Sequence, residues 1–308
     1  LVVHHPLIFT GLKRLVEDGG IVSLLSRLIR EQRGLLALHT NLDSAPGGLN
    51  QYVGTLLDLR KCRPLIPTAA RPLLKLVVYV PESHVDAVRA VICRAGAGQI
   101  GRYAECTFGA VGTGTFRPEE GTSPYIGTPG GGLERVTEVR LETVVPRAAL
   151  GPVLAAVFSA HPYEEVAYDL IPLDNAWPGA GLGCIGELAA PLTAGDFLAQ
   201  VRAVLHAERA TLIGDAARPV NTVALCTGAG SDFLEYARGA GADLYLTGEV
   251  KHHVALLARQ QGIAVIDAGH FPTERPVVDL LADYLTAHFP QLTVVKAEEN
   301  DPFGTEYM

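Results

Sequence analysis

An α/β architecture in three segments, two α/β lobes flanking an inserted β-α-β, loop, β-α-β plait, is what the sequence predicts. Three observations carry it. Stretches with helical apolar spacing take turns along the chain with short alternating or continuous apolar stretches. Several strand-like stretches end in small or polar residues and run into a helix, which is the order of parallel β-α-β. Between residues 73 and 173 the order changes to β-α-β, a long loop, and β-α-β again.

In the first segment, 1–72, Leu1–Val3 reads as the end of a strand and is followed by His4-His5-Pro6. Val22–Arg30 carries helical spacing at Val22, Leu25, Leu28 and Ile29. Gly34 breaks that helix. Leu35–Leu38 is a short apolar strand that runs into His39-Thr40-Asn41-Leu42-Asp43. In the second segment, 73–173, Lys75–Val80 is a β-branched strand stopped by Pro81, and His84–Arg94 is a helix with Val85, Val88 and Ile92 on one face. Arg102–Gly112 is strand-like, and residues 113–132 form a Gly/Pro/Thr-rich loop. Val136–Val145 alternates as a strand, Ala148–Ser159 is a helix and Glu165–Ile171 a strand. This is a ferredoxin-like plait.

The third segment, 174–308, returns to β-α-β order. Helices are expected at Asp196–Leu205, Phe233–Arg238, His253–Gln260 and Pro276–His288. Strands are expected at Val223–Cys226, Asp243–Leu246, Ala264–Ile266 and Leu292–Val295. The repetition implies a parallel sheet with helices on its faces.

At 308 residues the chain has room for about two domains. It carries 25 Lys and Arg against 33 Asp and Glu, a formal charge of −8, and no basic run longer than two. That argues against a general nucleic-acid binder, which needs a basic stripe to neutralise phosphates. No apolar run approaches the ~18 residues of a membrane span, and no signal peptide opens the chain. The five cysteines, 62, 93, 106, 184 and 226, form no CxxC. An odd, scattered set fits a reducing cytoplasm better than a disulfide framework or a thiolate zinc site. The chain opens without Met and already inside a strand, so upstream residues are expected to be missing.

Four polar clusters follow expected strands: His4-His5, His39 with Asp43, Thr247–His253, and His270 with Glu274. Ligands of open α/β sheets bind beyond the carboxyl ends of the strands. Imidazole with carboxylate is the donor set of Zn, Fe, Mn or Ni, and the sequence does not choose among them. Adjacent histidines at a strand exit can serve two metals, and a carboxylate can bridge them. Glu274 lies one helical turn after His270. The bland alternative is a set of hydrogen-bonded histidines at strand ends.

The runs LVVHHPLIF (1–9), ALHTNLD (37–43), GGLN (47–50), RAGAGQIGRYAECTF (94–108), HPYEEVAYD (161–169), TGEVKHH (247–253) and DAGHFPTE (267–274) resemble one family. It is the family of GTP cyclohydrolase I type 2 homologs, also called NGG-interacting-factor-three-like proteins, in the bacterial form with a CutA-like or PII-like insert. The resemblance covers essentially the whole chain. It implies two α/β lobes around a dinuclear metal site and a ring-shaped homohexamer. It also implies two divalent cations per chain, with His5 and Asp43 on one, His4 and His270 on the other, and Glu274 bridging. His253 falls where the family keeps a histidine near the site, facing substrate or supporting a ligand. The family has several dozen residues before its HHP motif that are absent here.

Other motifs carry less. Gly96–Gly101 spells GxGxxG, but it follows a helix and precedes a strand, the reverse of a dinucleotide fingerprint. Thr227–Ser231 could hold an anion on backbone N–H groups, although a plain turn capped by Ser231 or Asp232 is favoured. His161–Glu165 reads as a helix end followed by a solvated Glu pair. There is no Gly-x-Ser-x-Gly elbow and no Walker motif.

Two functions are expected. The first is a metal-dependent hydrolase that activates water against a nucleotide-like substrate, with His253 shuttling a proton. The family name points to opening of the guanine imidazole ring of GTP, which consumes activated water twice. Lys251 and Arg275 are the only basic neighbours of the motifs, which is thin for a triphosphate. The second is a non-catalytic metal-binding or regulatory scaffold with a sensor insert.

Overall fold

A computed structural model describes residues 1–16, 19–67, 73–101, 103–175 and 180–303. The chain divides into two compact units, Leu1–Pro67 with Gly179–Met308, and Thr68–Pro178. The segments expected as two lobes thus form one unit. The expected boundary at 72/73 abuts residues outside those described.

The first unit begins with β1 (Val2–Val3), α1 (Ile21–Arg30), β2 (Leu36–Ala37), α2 (Thr40–Asp43), α3 (Leu49–Leu56), β3 (Arg60–Arg63) and β4 (Ile66–Pro67). β1 and β2 pair in parallel, Val2 with Leu36 and Val3 with Ala37, so His4 and Leu38 leave the pair at the same end.

The second unit holds β5 (Leu73–Pro81), α4 (Val85–Arg94), β6 (Thr107–Phe116), β7 (Glu134–Pro146), α5 (Leu150–Ala160) and β8 (Tyr168–Pro172). Its sheet runs β6-β7-β5-β8, antiparallel throughout. Leu76, Val78 and Val80 alternate onto one face with Leu141 and Val145. There they meet Val88 and Ile92 of α4 and Val153 and Val157 of α5. The strand expected from Arg102 begins at Thr107 instead, and Arg102 itself lies outside the described residues. Glu105 takes a left-handed φ of 57° and Ile100 bridges Tyr103, so the chain is still turning there. The Gly96–Gly101 run is that turn. The Gly98 N–H donates to Val144 O and the Cys106 N–H to Gly98 O.

The first unit resumes with β9 (Gly181–Leu182), β10 (Cys184–Thr193), α6 (Ala194–Leu205), β11 (Thr211–Ile213), β12 (Pro219–Cys226), α7 (Leu234–Gly239), β13 (Leu244–Thr247), α8 (His252–Gln261), β14 (Ala264–Asp267), α9 (His270–Glu274) and α10 (Val277–His288). α6 starts two residues before the expected position because Thr193 caps it, its Oγ1 accepting from the Asp196 N–H at 3.1 Å. The sheet order is β11-β14-β13-β12-β10-β3. Only β12, β13 and β14 are parallel, and β11, β10 and β3 join antiparallel. The fully parallel sheet expected from β-α-β repetition is therefore corrected to a parallel centre with antiparallel edges. The strand expected at Leu292–Val295 does not form; that stretch is irregular.

Alternation along the parallel strands builds two cores. Val223, Leu225, Leu244, Leu246 and Ile266 face Leu49, Phe197, Val201 and Val277 of the helices on one side. Ala224, Tyr245 and Val265 face Leu234, Ala237, Val254 and Ala258 of α7 and α8 on the other. Each buried Val, Leu, Ile or Phe among them contributes roughly 1.5–3 kcal/mol. These cores fix the carboxyl ends of β12, β13 and β14, at Cys226, Thr247 and Asp267, and with them the loops that follow. No helix among the described residues is long and apolar enough to cross a membrane.

Candidate metal centre

His4 leaves β1 buried. Its Nδ1 lies 2.7 Å from Leu38 O, the carbonyl that the parallel register brings alongside. A carbonyl only accepts, so Nδ1 carries the proton and Nε2 presents a lone pair. Asp43 closes α2, the turn that opens at His39, with the Asp43 N–H donating to His39 O. Its Oδ1 lies 3.7 Å from His4 Nε2.

α9 supplies the opposing wall. It starts after Gly269, at φ +88°, and its one turn carries His270 and Glu274 on the same side. Glu274 Oε1 is 3.8 Å from His4 Nε2, while Oε2 is 3.2 Å from His5 Nε2 and 3.1 Å from His270 Nε2. One carboxylate thus faces three imidazoles, with His4 and Asp43 at one oxygen and His5 and His270 at the other. This grouping differs from the one the resemblance implied, which set His5 with Asp43 and His4 with His270. The physical reason is burial: His4, in the bend after β1, is buried against Asp43, whereas His5 stays exposed and meets Glu274 beside His270.

Three supports lie behind these groups. Glu249, after β13, places Oε1 2.5 Å from His270 Nδ1, which leaves Nε2 to face Glu274. Its own backbone is held by Ser231, whose Oγ donates to Glu249 O at 2.6 Å. Asn50, buried on α3, accepts the Thr227 N–H at 2.9 Å and donates to Asp43 O at 3.1 Å. Gly228, at φ +63°, lies against Glu274, and any Cβ there would collide with Oε1.

The electrostatics follow. Hydrogen bonding to Glu274 raises His270 to about 9 against the cost of burial, with Glu249 adding to it. Burial pushes Glu274 up, but His270 and His4 together bring it down to about 2. Burial lowers His4, and the Glu274 and Asp43 carboxylates outweigh it, for a net rise. Burial lowers His5 and raises Asp43. Burial also drives the Cys226 thiol up to about 12, so it offers no thiolate.

These groups fit cations. His4 Nε2 and Asp43 Oδ1 are both buried with no hydrogen-bond partner among the described residues. Buried polar atoms left unpaired cost roughly 1–3 kcal/mol each, and a cation between them removes that cost. Two sets of ligand atoms, each within 4.8 Å of one another, are His4 with His5 and His39, and His5 with His270 and Glu274. A cavity of about 950 Å³ reaches the cluster, bordered by His5, Glu249 and Phe271 and walled largely by apolar side chains of α10 and the 292–297 stretch.

Other expected residues lie elsewhere. His253 is exposed on the first turn of α8 and belongs to neither set. The 227–231 turn offers no anion cradle of the expected kind: Thr227, Gly228 and Gly230 donate their N–H groups to Asn50, Thr273 and Thr247 side chains. Neither Ser231 nor Asp232 caps the helix through its side chain. Lys251 is paired with Asp232 at 3.2 Å and Arg275 with Asp279 at 3.2 Å. His161 ends α5, with Nε2 3.0 Å from Tyr79 O, and Glu164 holds the long loop by accepting the Ser123 N–H. Sequence reasoning missed Glu249 and Asn50, although both stand in motifs it quoted, TGE and GGLN.

Comparison with known proteins follows the same residues. The family described as Duf34/NIF3 (NGG1p interacting factor 3) matches residues 1–302. A Halalkalibacterium halodurans protein named GTP cyclohydrolase 1 type 2 homolog is 41% identical over 270 residues, 88% of this chain and 72% of that protein. A Mycobacterium leprae protein of the same name is 40% identical over 297 residues, 94% of this chain and 76% of that one. Among solved structures, a Bacillus cereus protein related to NIF3 is 39% identical, with a TM-score of 0.82 over 98% of this chain and 82% of its own.

Proposed function

The chain belongs to the Duf34/NIF3 family, and from that premise we propose that its His/Asp/Glu cluster is a dinuclear metal centre of a metal-dependent hydrolase acting on a nucleotide-like substrate. The buried, unpartnered pair His4 Nε2 and Asp43 Oδ1 carries this reading. His4 and Asp43 would hold one divalent cation and His5 and His270 the other, with Glu274 shared between them. Two such cations supply Lewis acidity and lower the pKa of a bound water toward neutrality.

The chain's own residues do the rest. Leu38 O fixes the tautomer of His4, and Glu249 fixes that of His270, so both present Nε2 to the centre. Five protein ligands shared by two cations leave positions open for water and substrate. His253, exposed on the first turn of α8, is the proposed proton shuttle. The apolar walls of the cavity would receive the apolar part of a substrate. The nucleotide-like substrate class rests on the relatives' name.

We further propose that the 73–173 segment is the ferredoxin-like insert, that the protein works as a ring-shaped homohexamer, and that it resides in the cytoplasm. One observation favours the scaffold reading as second choice: both basic neighbours, Lys251 and Arg275, are already paired with aspartates. The deciding experiment is metal content per chain by plasma mass spectrometry on untagged protein, followed by a hydrolysis screen over nucleotides and phosphoesters with the metal found. Near two metals with turnover supports the hydrolase. Near two without turnover selects the scaffold. Near zero metal removes both.

A further inference from the structure

His39 is the imidazole that this assignment leaves unused. It stands between β2 and α2, four residues before Asp43. Its ring centroid is 5.2 Å from that of His4 and 5.1 Å from that of His5, both at steep interplanar angles. A nitrogen of each of the three rings lies within 4.8 Å of the other two. Small ring rotations close such a span onto the ~2.0–2.1 Å bonds of an imidazole-bound cation. Neither nitrogen of His39 has a hydrogen-bond partner among the described residues, in contrast to His4 and His270, whose Nδ1 atoms are both engaged. Half-exposed and edge-on to Phe9, the ring has nothing structural to hold.

We propose that His39 is a sixth metal donor, which joins His4 and Asp43 on their side of the centre. This rests on the dinuclear reading above and deepens it. Without His39 the donors at Glu274 Oε1 are one imidazole and two carboxylates, a set that a hard cation such as Mg²⁺ also accepts. With His39 the set holds two imidazoles, which shifts its preference toward a borderline ion such as Zn²⁺, Co²⁺ or Ni²⁺. His39 therefore sets which cation the centre takes, and its place beside both HHP histidines lets it close one of the open coordination positions.

The test is titration of chelator-treated full chain with Co²⁺, followed by its visible d–d absorption, and with Mg²⁺ by calorimetry, for wild type, His39→Ala and His39→Gln. Two variants guard against a folding failure peculiar to one, and circular dichroism checks both. The expected result is two Co²⁺ per chain in all three proteins. One Co²⁺ should bind at least about tenfold more weakly in both variants, the loss that removal of even an outer-shell partner brings. The d–d band should change, and discrimination against Mg²⁺ should fall. An unchanged spectrum and affinity in folded variants overturns the sixth donor and leaves the dinuclear centre standing. A wild type that binds no Co²⁺ overturns the dinuclear reading itself, and this proposal with it.

Discussion

Glu274 faces His4, His5 and His270 at once, whereas Asp43 faces His4 alone. Glu274→Ala should therefore lose both metals together, and Asp43→Ala mainly one, read as metal per chain. Equal loss in both variants would contradict separate roles. The same pair makes a pH prediction. His270, raised from 6.5 to about 9, contributes stability that is full below pH 6.5 and is lost as pH rises through about 9. Glu274, depressed from 4.5 to about 2, contributes above pH 4.5 and loses it as pH falls toward about 2. In excess chelator, the melting temperature should fall between pH 6.5 and 9, and His270→Gln should flatten that limb. Metal loading runs the other way, because the cation must displace the His270 proton, and rises over the same interval. These residues were legible because strand exits rich in His, Asp and Glu are chemically conspicuous. Glu249 was not, because a lone carboxylate after Thr-Gly looks like any solvated loop residue until His270 Nδ1 is found beside it.

Between residues and fold stand the short elements that aim the ligands. Asn50 on α3 ties the carbonyl of Asp43 to the exit of β12, so it couples α2 to the sheet. Asn50→Ala leaves the buried Thr227 N–H unpaired and should cost about 1–3 kcal/mol in urea denaturation, with weaker metal retention. A stability unchanged by the substitution would remove Asn50 from the framework of the site. The long amphipathic helices and the apolar strands were readable from spacing. α2 and α3 were not, since four and eight residues give too few turns to show a period. β3 escaped for another reason. It is an edge strand spelled Arg60-Lys61-Cys62-Arg63, charged where a strand is usually apolar, as edges often are. Leu292–Val295 misled in the opposite direction, with strand-forming residues but no partner strand among those described.

For the whole molecule, β-α-β order was visible but strand direction at the sheet edges was not. The antiparallel edge strand β3 arrives from a distant part of the chain, and nothing local marks it. On α1 of the first unit only Leu28 is buried, and Ile29 is 68% exposed. Single exposed apolar side chains are ordinary, so Ile29 serves as a place at which to probe the proposed ring. Light scattering should give a mass near six copies, and Ile29→Glu should lower it while metal per chain is retained. A monomeric mass for the wild type would sink the ring.

The residues of the proposed centre lie on both sides of the second unit in sequence, at 4–43 and 249–274. During synthesis, His4, His5 and Asp43 leave the ribosome long before Glu249. At 5–20 residues per second the wait is on the order of ten to forty seconds. On the proposed centre, a nascent chain exposes His4, His5, His39 and Asp43 for that time without Glu274. Loading of such a centre would then be completed only after residue 274 has been made.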